Sequence, residues 1–282
     1  MIQLKSFAKI NLCLYVLKKR RDGFHEIYTV MQAVDLYDRL SLYRIPEGMT
    51  IQTDNPQLPT DRRNLVYKAA ELFLNQAKID SGVRIKIQKR IPLSSGLGGG
   101  SSNAAFTLMG LNQLFDAGLS RKKLVEMAKQ IGSDVPFFLY SGQAVATGRG
   151  EKIREVKLPS DYWIVLIKPD ILLSTAWVYK NFKINLTRKR KLIKIYKGKK
   201  SFFDSIIGWE NELEKASARK YPLLQELREK LKKIGAIKTS MSGSGPTVYG
   251  IFLKKPKYKE VKSLKREEWQ IWVTRPIPLW VL

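Results

Sequence analysis

Residues 92–105 read P-L-S-S-G-L-G-G-G-S-S-N-A-A, and four of these positions (Gly96, Gly98, Gly99, Gly100) carry no side chain. The run just upstream, Val83-Arg84-Ile85-Lys86-Ile87, alternates like a strand. Downstream, Ala104, Leu108, Leu111 and Phe115 share one helical face. A glycine-rich turn that opens a helix points unpaired amide N–H groups and the positive end of the helix dipole at one spot, which suits phosphate oxygens. The hydroxyls of Ser94, Ser95, Ser101 and Ser102 offer further bonds to phosphate or to a phosphate-bound metal. A flexible linker would have little use for the immediate Asn103-Ala104-Ala105 helix start. The segment Pro92, Leu93, Ser94, Ser95, Gly96, Leu97, Gly98, Gly99, Gly100, Ser101, Ser102 is therefore read as a phosphate loop.

Several nucleotide-binding classes are excluded. No Lys follows the glycines, as Walker A requires, and the dinucleotide fingerprint fails because Ser101 stands sixth from Gly96. The H-R-D and D-F-G elements of protein kinases are absent. The stretch does resemble the second motif of the GHMP small-molecule kinases, the family of galactokinase, homoserine kinase and mevalonate kinase. Other segments resemble the family's landmarks in order: Ser6–Leu12 its first motif, Gly132–Phe138 its catalytic-Asp segment and Ala146–Glu151 its short G-x-G-E element. Asn211-Glu212-Leu213-Glu214 stands near its N-D-L-E, with Glu212 a departure, and Met241–Thr247 resembles its third motif. The triple glycine followed by S-S-N-A-A is similar to the branch of the non-mevalonate isoprenoid pathway. That branch uses ATP to phosphorylate the 2-hydroxyl of a cytidyl-diphosphate methylerythritol.

The resemblance assigns roles that the residues alone leave open. Asp134 matches the family's catalytic base, although Gly-Ser-Asp-Val-Pro also suits a helix N-cap. Phosphoryl transfer to an alcohol needs the hydroxyl oriented and its proton accepted. Lys9 matches the partner cation, which would orient that carboxylate and offer charge to the reacting group; a solvent-facing strand lysine is the ordinary alternative. Asn11 shares its pleat face and is carried over as substrate-binding. Phe24 and the single histidine, His25, match an aromatic–His pair that holds the cytosine ring. Tyr179 aligns with a second stacking aromatic, with Trp177 and Phe182 as rivals. Asn64, which opens N-L-V-Y-K-A-A, lines the adenine site or caps the helix beginning at Leu65. No metal-ligand cluster is visible, so Mg²⁺ is expected to arrive with ATP, held by phosphates and water, with Ser102 a candidate ligand.

Composition sets the remaining bounds. A chain of 282 residues buries a good core and divides into two compact units. The single Cys13 allows no internal disulfide, the N-terminus lacks a secretory pattern, and the longest apolar run, Tyr162–Ile167, is too short to span a bilayer. A soluble cytoplasmic enzyme without membrane partners is expected. The formal net charge of +26 sits uneasily with a plain metabolic role. Residues 188–200 hold eight basic and no acidic residues, which raises a rival reading as an RNA-binding protein on a kinase-like scaffold. No signature of a nucleic-acid recognition module is present, so no specific nucleic-acid partner is expected.

Periodicity predicts strands over Ala8–Val16, from Phe24 to Val34, over Trp163–Ile167 and over Thr247–Leu253. It predicts helices over Leu65–Ala77, 102–116, 121–131, 210–218 and 222–233. A boundary near 151–160 separates an ATP-binding part, 1–155, from a C-terminal part, 156–282. By resemblance the class is α+β: an S5-like N-terminal domain and a ferredoxin-like C-terminal domain, with the active site between them.

Overall fold

In a computed structural model the residues described are 1–183 and 199–279. The basic run 188–200 lies almost wholly outside them, and with it the RNA-binding reading built on that run. The first layer is a six-stranded sheet of β1 (Ile2–Lys19), β2 (His25–Ile45), β3 (Met49–Thr53), β4 (Gly82–Gln88), β5 (Gln143–Gly148) and β6 (Lys152–Glu155). Its helices are α1 (Leu65–Ala77), α2 (Gly99–Leu114) and α3 (Arg121–Ile131), followed by a 3-10 turn at Pro136–Leu139. The second layer is a four-stranded sheet of β7 (Trp163–Lys168), β8 (Lys238–Met241), β9 (Val248–Phe252) and β10 (Gln270–Thr274), in the order β10-β7-β9-β8. Around it lie α4 (Thr175–Asn181), α5 (Lys199–Ile207), α6 (Glu214–Lys220), α7 (Leu223–Lys233) and α8 (Tyr258–Ser263).

β2 organises the first sheet. β1 runs antiparallel along one edge of it, while β5 and β4 share the other edge, pairing with residues 27–32 and 39–45 respectively. The sequence reading ended this strand at Val34, yet it continues to Ile45. Asp35 and Leu36 form a bulge between the Ala8–Val34 and Phe7–Tyr37 pairs, and this irregularity breaks the alternation that the reading followed. Inward residues of the sheet, among them Leu40, Leu42, Ile85 and Ile87, pack with Phe73, Leu108 and Leu111 of the helices.

The apolar run Tyr162–Ile167 has no alternation because both faces of β7 are covered. Ile164 and Leu166 meet Ala8, Ile10 and Leu12 of β1, while Val165 and Ile167 meet Leu224, Leu227 and Leu231 of α7. β1 is thus buried on its middle span by the second sheet, and the two layers share a continuous apolar seam. Burial at about 25 cal/mol per Å² makes this seam the main term holding the layers together. The chain then returns: Asp35 donates to Arg275, Ile277 donates to Ala33, and Leu279 is buried in the first core.

Candidate functional site

Three loops and one strand converge where the layers meet. The phosphate-loop segment is tied down at its start by Asp38, whose carboxylate accepts from the Arg90 and Ile91 amides at 2.6 and 2.8 Å and pairs with the Lys89 ammonium. Ser94 takes a left-handed conformation and Ser95 Oγ donates to Pro92 O. Gly98, with φ +71°, is the residue before α2, which begins at Gly99 rather than at 102. Low helix propensity in a triple glycine hides that start from a sequence reading. First-turn amides of Gly99, Gly100 and Ser101 have no acceptor within the helix, so three N–H groups stand ready for an anion.

Gly98 also has a packing role that its motif does not imply. A Cβ there would lie 3.1 Å from the Lys9 side chain and from Phe138. The loop and β1 are thus in van der Waals contact, and Lys9 N–H donates to Leu97 O at 2.9 Å. Lys9 is only 3% exposed, and its ammonium reaches Asn11 Oδ1 at 2.6 Å and Asp134 Oδ2 at 3.2 Å. Asn11 in turn donates to Thr29 Oγ1 at 2.8 Å, so the lysine is held by a partner that is itself held. Asp134 remains 33% exposed and precedes the 3-10 turn, whose own N-cap is Val135 with no side-chain cap bond. Of the two sequence readings of Asp134, the geometry displays the lysine partner and not the cap.

A third loop, between β8 and β9, closes the site from the second layer. Ser242 Oγ donates to Gly96 O at 2.9 Å, the Thr247 amide donates to Ser95 O, and a Cβ on Gly96 would overlap Ser242 O. Asn211 braces this loop by donating to Met241 O at 2.8 Å and Gly243 O at 2.7 Å. Glu212, the departure from the familiar motif, still has a backbone duty: Oε2 accepts from the Val16 amide at 2.8 Å. The sequence reading placed Asn211 and Ser242 in family landmarks but gave neither a role at the site, since Ser242 meets Asn11 across 231 residues and Asn211 meets the loop across 30 and 32. Asn211→Ala leaves two buried carbonyls without their donor and should cost about 2–4 kcal/mol of stability, taking roughly 1–2 per lost bond, as read by chemical denaturation.

The cavity so enclosed measures about 910 Å³ and is lined by Lys9, Asn11, Gly96, Gly98, Ser101, Asp134 and Gly243 at one end. Phe24, His25, Arg149, Tyr179, Lys180 and Phe182 line the other. His25 and Tyr179 stack with ring centroids 5.1 Å apart and planes 26° from parallel. Burial, and then the charge of Lys19, hold the His25 pKa below its ordinary value, favouring a neutral imidazole with one donor and one acceptor. Burial, with Asp134 as a lesser cause, pushes the Tyr179 phenol well up, so it remains a donor. Phe24 is 51% exposed and carries the Arg149 guanidinium 4.9 Å from its ring centre. Trp177 is turned toward Lys220 and does not line the cavity, whereas Phe182 does.

Two other sequence candidates sit differently. Asn64 caps α1: its Oδ1 accepts from the Val66 amide at 2.9 Å and its Nδ2 donates to Pro59 O at 2.7 Å, and it is absent from the cavity wall. Ser102 is fully buried with its hydroxyl on Ser6 Oγ at 2.7 Å, while Ser101 faces the cavity. Among the described residues, no group of three or more His, Cys, Asp or Glu side chains is placed to hold a metal ion. No helix among them is long and apolar enough to cross a membrane.

Comparison with known proteins places this geometry. Residues 64–142 match the GHMP kinases N terminal domain and residues 200–269 the GHMP kinases C terminal domain. A 4-diphosphocytidyl-2-C-methyl-D-erythritol kinase of Acetivibrio thermocellus is 39% identical over 98% of this chain and 99% of its own. The Bacillus cereus protein of the same name is 44% identical over 88% of this chain and 87% of its own. Among solved structures, a 4-(cytidine 5'-diphospho)-2C-methyl-D-erythritol kinase superposes with a TM-score of 0.79 at 32% identity, covering 98% of this chain and 99% of that one. A homoserine kinase from Cytophaga hutchinsonii shares the fold with a TM-score of 0.74 at 18% identity, covering 99% and 96%.

Proposed function

The chain belongs to the GHMP kinase family, in its 4-diphosphocytidyl-2-C-methyl-D-erythritol kinase branch, and on that premise we propose how its cavity works. The reaction is transfer of the γ-phosphoryl group of ATP to the 2-hydroxyl of 4-diphosphocytidyl-2-C-methyl-D-erythritol, giving the 2-phosphate and ADP. It is a step of the non-mevalonate pathway to isoprenoid precursors. The observation that carries the assignment of residues is the Lys9–Asp134 pair at 3.2 Å beside the open amides of the glycine loop, with aromatic side chains at the far end of the same cavity.

Asp134 accepts the proton of the acceptor hydroxyl. Lys9, fixed by Asn11, orients that carboxylate and lends positive charge to the oxygens of the transferring group. The amides of Gly99, Gly100 and Ser101 hold the nucleotide phosphates at the positive end of α2. We assign ATP binding to the part spanning 1–155 and closure over the acceptor to 156–282, whose loop 242–246 abuts the glycines. Mg²⁺ would fit as an ion carried by the nucleotide, with the oxygens of Ser101 and Asp134 among those of the cavity lining that would hold it. When bound, it neutralises charge on the phosphates. A cytoplasmic setting accords with the single cysteine, Cys13, a buried free thiol.

At the far end, Phe24, His25 and Tyr179 are the proposed cytosine site. Phe24→Ala and Tyr179→Ala should each weaken the apparent binding of the cytidyl substrate by about 1–3 kcal/mol while ATP affinity holds, because stacking is lost only there. Phe182→Ala is the paired control, and a larger effect from it than from Tyr179→Ala would transfer the stacking role. The reaction itself is tested by coupled ADP release with the cytidyl substrate against a sugar, homoserine and mevalonate. Turnover of one of those three in preference to the cytidyl substrate would overturn the assignment.

A further inference from the structure

Independently of the phosphoryl-transfer site, we infer that the open face of the six-stranded sheet docks a single-stranded nucleic acid, held mainly through its phosphates. Alternation along β1, β2 and β4 sends Leu4, Leu40, Leu42, Ile85 and Ile87 toward the helices. The residues between them form the opposite face. Strand register there sets Lys5 directly across from Arg39, Ser41 across from Lys86, and Tyr43 across from Arg84. Like charges directly opposite destabilise a sheet, and the Lys5–Arg39 pair is eased by the Tyr37 ring that both cations share, at 4.8 and 6.0 Å from its centre. Among the described residues, no carboxylate lies within ion-pair distance of Lys5, Arg39, Arg84 or Lys86. The buried Nε of Arg84 has no acceptor among them either.

Of these cations Lys5, Arg39 and Lys86 rim a recess of about 770 Å³ that shares no lining residue with the Lys9–Asp134 cavity. Its one acidic neighbour, Asp54, already accepts from the Lys89 amide at 2.8 Å. Faces of the two tyrosines are covered by cations, Lys5 4.8 Å from the Tyr37 ring centre and Arg84 5.2 Å from that of Tyr43. Attraction is therefore to charge first, with little bare aromatic surface for stacking. The rest of the lining combines the polar groups of Gln3, Ser41, Gln52, Thr53 and Gln88 with Tyr43 and with Leu4, Leu40 and Ile87. Carboxamides and hydroxyls suit ribose and base edges, and an unpaired strand presents those edges free of base pairing, with apolar Leu4, Leu40 and Ile87 at hand for base faces. A second copy of this chain is disfavoured, because a two-fold contact would set one cationic face against another. Such a surface also gives part of the +26 charge a use that the kinase cavity does not.

The test is fluorescence anisotropy with a labelled oligouridylate, comparing wild type with two variants of equal charge change. One is Lys5→Glu with Arg39→Glu and Lys86→Glu; the other is Lys215→Glu with Lys233→Glu and Lys265→Glu, exposed positions on the second layer. The sheet-face variant should bind at least about tenfold more weakly, and its salt slope should be shallower by about two, as loss of three phosphate contacts requires. The second variant should lose far less, and both should retain kinase turnover. If the triple sheet-face variant does not fold, Arg39→Gln with Lys86→Gln carries the same comparison. Equal losses in both variants, or no binding of oligouridylate by wild type, would overturn the inference. So would a sheet-face variant that loses phosphatidylserine vesicles but keeps the oligonucleotide.

Discussion

Asp134→Ala and Asp134→Asn should both lower turnover by about 10²–10⁴-fold or more while ATP affinity stays near wild type. The loss corresponds to about 2.7–5.5 kcal/mol on the barrier. Lys9 loses its carboxylate in the alanine variant yet keeps Asn11 Oδ1 at 2.6 Å. The accompanying destabilisation is about 1–3 kcal/mol, the cost of leaving a buried charged group short of one partner. A folded protein with that loss is still mostly native and cannot mimic a turnover defect of this size. The asparagine variant separates the roles: it preserves shape and an oxygen acceptor for Lys9 but cannot take a proton. Turnover near wild type in Asp134→Asn would reduce Asp134 to a positioning group. A full loss in both variants, with nucleotide still bound in titration calorimetry, assigns it the base.

The elements read most accurately from sequence are those whose ends are written locally. α1 spans Leu65–Ala77 because Asn64 caps it and Lys78 turns left-handed after it. α3 spans Arg121–Ile131 because Ser120 caps it, its Oγ accepting from the Lys123 amide, and Gly132 leaves it. In contrast, α6 begins at Glu214 rather than at 210, since Asn211 and Glu212 are drawn off to bond the loop 241–243 and the β1 backbone. The strand end at Val34 failed for a similar reason, because a bulge satisfied by β1 looks like a stop when β1 is not in view. In the site, Lys9 and Asn11 were legible as a two-residue alternation along one strand. Arg149 was not: it lies beside Phe24 only because β5 pairs with the first half of β2. Local chemistry is written in neighbouring residues, whereas cavity walls are written in register.

Gly98→Val should damage both nucleotide binding and turnover, and by a route that the motif alone does not disclose. Valine at φ +71° is strained by its branched side chain, a cost of about 1–3 kcal/mol before any contact is counted. Its Cβ would stand 3.1 Å from Lys9 Cγ and Cε and from Phe138, and the added methyls come closer. Phe138 is buried and cannot retreat, so the lysine stem must move and the 3.2 Å pair with Asp134 opens. Relief by unwinding is no better, because the Gly98 carbonyl accepts the first bond of α2, from the Ser102 amide at 2.8 Å. Losing it turns the amides of Gly99, Gly100 and Ser101 away from the nucleotide. We therefore expect ATP affinity to fall at least about tenfold, some 1.4 kcal/mol, and turnover at saturating ATP to fall by about 10² or more. Gly118→Ala is the matched control: it too sits at positive φ, +61°, but nothing lies within 4 Å of its Cβ position. That change should cost about 1 kcal/mol of stability and leave both kinetic constants alone. ATP affinity and turnover unchanged in Gly98→Val would show that the loop neither cradles phosphate nor supports Lys9. A turnover loss with ATP affinity intact would separate the two roles and leave Gly98 serving the lysine alone.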